Sequence, residues 1–218
     1  MKVQVAALFA MVIALAGCAV PGAPRYSDAS DQTFKASAPT SAVKLKHEQT
    51  VGVIFTENTV ANLAYMTRYN ATAQDGVAAR LTDSRITEAY VNSSDPELAI
   101  NWFAESLEKQ FAKVDFYESL DDVLAARPDV IVLLDTRNKL VTERSSDVQS
   151  SIVAEFFDGD FKFIGKAEGS DAKSMSPIWA QTKRAPEIAA DINSQRQVQI
   201  NALQKFDASL ESLIKAES

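Results

Sequence analysis

Glu57 and Asp135 are the two acids whose places in the chain could support chemistry. Each follows an apolar run, Val51-Gly-Val-Ile-Phe-Thr56 before Glu57 and Val130-Ile-Val-Leu-Leu134 before Asp135. If the runs are parallel neighbouring strands, both carboxylates sit at one carboxyl-end edge, where α/β sheets bind ligands. Arg137 and Asn138 would stand close by. Two acids at a suitable separation are enough for glycoside hydrolysis. The competing reading is that acids after strands merely end pairing and face water. An aspartate in this position could also accept a phosphoryl group, but that needs acids after the first strand to hold magnesium. Here a single acid, Glu57, is followed by Asn58.

Other catalytic sets lack members. The one histidine, His47, lies in the charged stretch 44–48 and reads as a solvated surface residue. No Gly-x-Ser-x-Gly elbow, phosphate-cradling glycine loop or His-Glu-x-x-His helix occurs. Zinc requires several His or Cys ligands. Asp158-Gly159-Asp160 lacks the spacing of a calcium loop. The expectation is no catalytic residue, no cofactor and no metal, hence no enzyme. The edge of Glu57, Asp135, Arg137 and Asn138 remains as an alternative ligand site for a small molecule or glycan.

The elements that must position these residues follow from periodicity. Val51–Thr56 is short, apolar and β-branched, a buried strand. Residues 57–92 allow two readings: a helix over 60–69, or a hairpin through Asp83-Ser84 in which Val77, Ala79 and Leu81 alternate. Ser94-Asp95-Pro96-Glu97 can start and cap a helix. Leu98, Trp102, Phe103, Leu107 and Phe111 then share one helical face to about Ala112. Val114 and Phe116 alternate as a strand. Ser119 and Asp122 cap a short helix with Leu120, Val123 and Leu124 on its apolar side. The run 130–134 suits a strand covered on both faces. The order over 114–134 permits a right-handed parallel crossover. A polar loop is expected over 140–149.

Runs 151–157 and 161–167 flank Asp158-Gly159, a hairpin signal because a type I′ turn takes positive φ at both central residues. Residues 170–184 are polar, with Trp179 in a short turn or loop. From Pro186 a long amphipathic helix places Leu203, Phe206, Leu210 and Leu213 at three-and-four spacing. The fold class expected is α/β: a single mixed sheet with an antiparallel hairpin, helices on one side and a long C-terminal helix.

The start of the chain, MKVQVAALFAMVIALAGCAV, has a lysine before an apolar run from Val5 to Leu15. That is the pattern of a secretory signal peptide. The run is shorter than the roughly 20 residues of a membrane span. Leu15-Ala16-Gly17-Cys18 resembles the lipobox of bacterial lipoproteins. The resemblance implies cleavage before Cys18 and acylation of its sulfur and of the new amino terminus. Cys18 is the single cysteine of the 218 residues, so an internal disulfide is excluded and lipidation gives the thiol a purpose. Ala19 in place of Asp resembles the outer-membrane address.

Residues 1–17 are thus a leader, 18–42 a lipidated cysteine and flexible tether rich in Pro, Ala, Ser and Thr, and 43–218 one α/β domain. Such a tether reaches roughly 30 Å. The net charge of −7 becomes −8 when Lys2, the only charge in 1–17, is removed. An acidic body does not seek nucleic acid through its field. The order of elements and the tether are similar to small envelope lipoproteins: the curli-secretion pore subunit, the Pel polysaccharide-secretion lipoprotein and the activator lipoprotein of penicillin-binding proteins. The expectation of an outer-membrane protein on the periplasmic face that binds another envelope protein, as an accessory or assembly factor, rests on the lipobox, the tether and the missing catalytic motifs; a likeness of fold does not license a function. It leaves homo-oligomerisation open.

Overall fold

The computed structural model describes residues 20–27, 40–75, 83–142, 145–175 and 182–217. The lipobox with Cys18, the alternating Val77, Ala79 and Leu81, and Trp179 lie outside them. Among the described residues, ten elements run in order: β1 (Thr50–Phe55), α1 (Glu57–Asp75), α2 (Ser84–Asn92), α3 (Leu98–Glu108), β2 (Lys113–Tyr117), α4 (Leu120–Ala126), β3 (Val130–Lys139), β4 (Asp147–Asp158), β5 (Phe163–Ser174) and α5 (Ala185–Glu217). The strands form one mixed sheet in the order β2-β1-β3-β4-β5. β1 is parallel to both β2 and β3, whereas β3-β4-β5 is an antiparallel meander. The α/β class, the hairpin and the long last helix are as expected.

Helices α3 and α5 pack on one face. Phe103 and Leu107 from α3, with Phe111 just after it, meet Leu203, Phe206 and Leu210 from α5 over Val53, Val132, Leu134 and Phe156. Asp207 ties the two helices, accepting from Trp102 Nε1 at 2.9 Å and from the Ser106 hydroxyl at 2.6 Å. On the other face, α4 sets Val123 against Ile54, Ile131 and Phe157. Ser119 caps α4 as expected, its hydroxyl accepting from Asp122 N–H at 3.2 Å. Leu120 and Leu124, expected on the apolar side, are each 41% exposed. One buried valine suffices because Gly52 lets the helix come close. A Cβ on Gly52 would lie 2.5 Å from Val123 Cγ2.

Residues 57–92 resolve to helices around residues 76–82. The hairpin reading at Asp83-Ser84 is wrong: Asp83 caps α2, its carboxylate accepting from Arg85 N–H at 3.1 Å. The same short polar side chains serve turns and N-caps, so those two residues alone could not choose. β3 runs five residues past the expected end at Leu134. It pairs with β4 down to Lys139↔Gln149, so part of the expected loop over 140–149 is strand.

The hairpin at 158–162 exists, but the turn is of another kind. Phe161 N–H donates to Asp158 O at 2.9 Å, and Phe161, not Gly159, holds positive φ at 61°. This is a three-residue loop with a left-handed last residue. Asp158 replaces the glycine chemistry. Burial works to raise its pKa, but hydrogen bonds from the Ser41 hydroxyl and from Lys162 and Asp160 N–H outweigh it and hold the carboxyl below its usual value. Among the described residues, pairing with the sheet begins before Val43, at Thr40, which bridges Phe163.

Sheet edges are managed by helix side chains. α5 lies along β5, with Ser209 accepting from Glu168 N–H and Lys205 donating to Ser170 O. β2 is a five-residue edge carrying the Lys113–Asp115 pair. Short charged edges resist pairing with other chains.

Candidate functional site

β1 ends at Phe55, level with Leu134, while β3 continues to Lys139. Past Leu134 the backbone of β3 has lost its neighbour on that side, and buried N–H and C=O groups need partners. Helix α1 supplies them. Thr56 starts it, its hydroxyl accepting from Thr59 N–H at 3.3 Å. The buried face of α1 then carries Thr59, Asn62, Tyr65 and Tyr69 down the line of β3. Thr59 Oγ1 donates to Leu134 O at 2.6 Å and accepts from Thr136 N–H at 2.8 Å. Asn62 Oδ1 accepts from Asn138 N–H at 3.0 Å. Tyr65 OH accepts from Leu140 N–H at 3.1 Å, and Tyr69 OH donates to Val141 O at 2.7 Å. A helix face thus stands where a strand would otherwise pair.

Burial pushes the Tyr65 phenol up to about 12 and that of Tyr69 well above its usual value. Both remain neutral hydroxyls, which suits groups that bond backbone. Thr59→Val should lower stability by about 2 kcal/mol, because Thr136 N–H loses its acceptor inside the protein while Leu134 O keeps Thr56 N–H. Urea unfolding measures this, as a lower midpoint at unchanged slope.

The expected ligand edge lies at the start of this seam. β1 and β3 are parallel neighbours, as the carboxylate reading required. Asp135, however, lies within β3 and is 8% exposed. Its Oδ1 accepts from Arg137 Nε at 2.7 Å. Its Oδ2 accepts from Asn58 Nδ2 at 2.7 Å and Arg137 Nη2 at 3.2 Å, with the Thr56 hydroxyl at 3.4 Å. Asp135 and Arg137 meet because residues two apart on a strand share a face. Glu57 is exposed in the first turn of α1, where a negative charge suits the helix dipole. Asn138 contributes its backbone. Its side-chain Oδ1 is buried with no hydrogen-bond partner among the described residues.

The site is covered by part of the segment whose composition reads as tether. Ser27 N–H donates to Asn58 Oδ1 at 2.9 Å, and Asn58 Nδ2 donates to Ser27 O at 2.9 Å. Arg137 Nη2 reaches the same carbonyl at 3.3 Å. Tyr26 OH lies 2.7 Å from Asn138 O and 3.0 Å from Asn62 Oδ1, and accepts from Asn138 N–H at 3.0 Å. Burial raises the Tyr26 phenol, so it stays a neutral donor. Sequence reasoning missed Tyr26, Ser27, Thr56, Asn58 and Asn62. Two signals were present: Thr59, Asn62, Tyr65 and Tyr69 recur at helical spacing, and Tyr26 is the one aromatic of residues 20–27.

His47 is exposed as expected, its Nδ1 lying 2.9 Å from Gln110 O. Among the described residues, no group of three His, Cys, Asp or Glu is placed to hold a metal.

No protein-family model matches the chain, and neither does any curated protein. Two solved structures of PelC dodecamers from Paraburkholderia phytofirmans are weakly similar. One, of a point variant, is 11% identical and covers 75% of this chain and 95% of that one at a TM-score of 0.28. The other is 10% identical, covers 76% and 94%, and has the same TM-score of 0.28. Scores this low do not establish a shared fold.

Proposed function

We propose that the chain is a lipid-anchored protein on the periplasmic face of the outer membrane that acts by binding another envelope protein, as an accessory or assembly factor. The observation that carries this reading is Leu15-Ala16-Gly17-Cys18 behind a short apolar leader in a chain with no other cysteine. The state of the best carboxylate supports the non-catalytic part. Asp135 has both oxygens engaged and lies under Ser27, whose carbonyl shares Asn58 and Arg137 with it. An acid or base must reach the proton it transfers, and this carboxylate is committed to its own neighbours. A lipid-held domain gains effective concentration toward partners in the same membrane.

The test is photocrosslinking in intact cells from the exposed apolar positions Val60, Phe116, Leu120 and Leu124, followed by mass spectrometry. One or more of them should capture a defined envelope protein, and Glu57→Gln should leave the cellular phenotype intact. If no position captures a protein and a well-folded Glu57→Gln/Asp135→Asn chain loses function, the ligand-edge alternative replaces this reading.

A further inference from the structure

We infer that residues 20–27 are a strap, held in cis by the end of β3 and by α1, which keeps the domain short-leashed to its anchor and covers the Asp135 edge. The effect on reach rests on the lipid-anchor reading of Cys18; the docking does not.

The strap is fixed at both ends. Val20 and Ala23 pack on the cluster that includes Tyr65, Tyr69 and Ile188. Tyr26 and Ser27 make the polar contacts described above. Asn58 gives Ser27 the two-point pairing that a strand gives its neighbour, N–H to oxygen and oxygen to N–H. Pro21 and Pro24 reduce the freedom that docking must remove. Yet residues 20–27 carry no regular structure and join no ladder of the sheet. Their hold rests on a few side chains, the kind of contact that opens locally while the core stays folded.

The consequence is geometric. Docked, the strap places Val20, its first described residue, two chain steps from Cys18. Two chain steps span about 7 Å at most. Released, the leash runs from Cys18 to Thr40, where pairing with the sheet begins. That is about 22 residues, with a root-mean-square reach of about 26 Å. Release therefore lengthens the leash several-fold and, in the same step, exposes Asn58, Asp135 and Arg137.

The test uses the mature chain with Cys18→Ser, carrying spin labels at Gly22→Cys and Glu88→Cys. Gly22 accepts a side chain, since a Cβ there meets nothing within 4 Å, and Glu88 is exposed on α2. Dipolar distance measurement should give one narrow distribution. Tyr26→Ala should at least double its width while thermal unfolding of the body is preserved. A broad distribution in the parent overturns the strap. So does a narrow one that neither Tyr26→Ala nor Asn58→Ala widens. A second arm uses lipidated chain in vesicles of phosphatidylethanolamine and phosphatidylglycerol. Tyr26→Ala should move a label at Glu88→Cys away from the bilayer. Failure of the wild-type chain to float with the vesicles would overturn the anchor and the effect on reach, and would leave the docking result standing.

Discussion

Gly169→Ala is expected to destabilise the protein by about 3 kcal/mol or more, a fall in Tm of about 10 °C for a domain of this size. The face of β5 toward α5 carries Gly165, Ala167 and Gly169, since residues two apart share a face. This small-residue line lets α5 lie directly on the strand. A Cβ on Gly169 would stand 2.0 Å from Ala202 O and 2.4 Å from Phe206 N, both backbone atoms of α5. Backbone cannot rotate aside as a side chain can. Ala202 and Phe206 are fully buried, so the whole helix would have to lift and take Leu203, Phe206 and Leu210 partly out of the core. Gly165→Ala should cost less, because the contact is Leu213 Cδ1 at 2.5 Å, the end of a half-buried side chain. Gly159→Ala should be nearly neutral, since its Cβ meets only Pro128 O at 3.7 Å and its φ is not positive. Thermal melting of the three variants gives the order. A Gly169→Ala protein that melts with the parent would mean that α5 does not sit this close to β5.

The parts of the fold legible in the sequence are those where one residue type serves one purpose. The stripe Leu203, Phe206, Leu210 and the run Val130–Leu134 are apolar because they are buried, so periodicity finds them. The Ser119 cap was legible because its partner, Asp122, sits at the expected spacing. α1 was obscure for the opposite reason. Its buried face holds Thr59, Asn62, Tyr65 and Tyr69, polar groups buried because a strand edge needs them, and burial scales read such a face as exposed. β3 was cut short at Leu134 because Asp135, Arg137 and Asn138 look like the end of a strand. They stay in it because Asp135 and Arg137 neutralise each other and β4 pairs with the backbone regardless. The expected edge of Glu57 and Asp135 was right about the parallel neighbouring strands. What it could not foresee is a chain segment eight residues long lying on top. Segment 20–27 reads as tether because Pro, Ala and Gly dominate it, and such composition says how a chain behaves when nothing binds it. Tyr26 and two well-placed asparagines decide that something does.

Cys18→Ser should remove the protein from the membrane fraction altogether or leave its precursor uncleaved. The expectation follows from the proposed lipid anchor. No helix among the described residues is long and apolar enough to cross a membrane. The body is acidic, at −8 for residues 18–218, and anionic lipid attracts basic segments, not acidic ones. The anchor proposed is the set of acyl chains on Cys18. Each buried CH₂ contributes about 0.8 kcal/mol, and one chain alone gives only marginal binding, whereas several hold firmly. Acylation of the amino terminus depends on cleavage before the cysteine, so one substitution removes every chain together. The loss should therefore be all-or-none. Fractionation of cells with and without a high-salt wash measures it. Salt screens any surface attraction and leaves a lipid anchor untouched. Wild-type protein should stay with the outer membrane through the wash. A Cys18→Ser protein that is cleaved and still stays with the outer membrane would place the attachment in the folded body, and the exposed side chains Val60, Phe116, Leu120 and Leu124 would be the first positions to substitute in search of it.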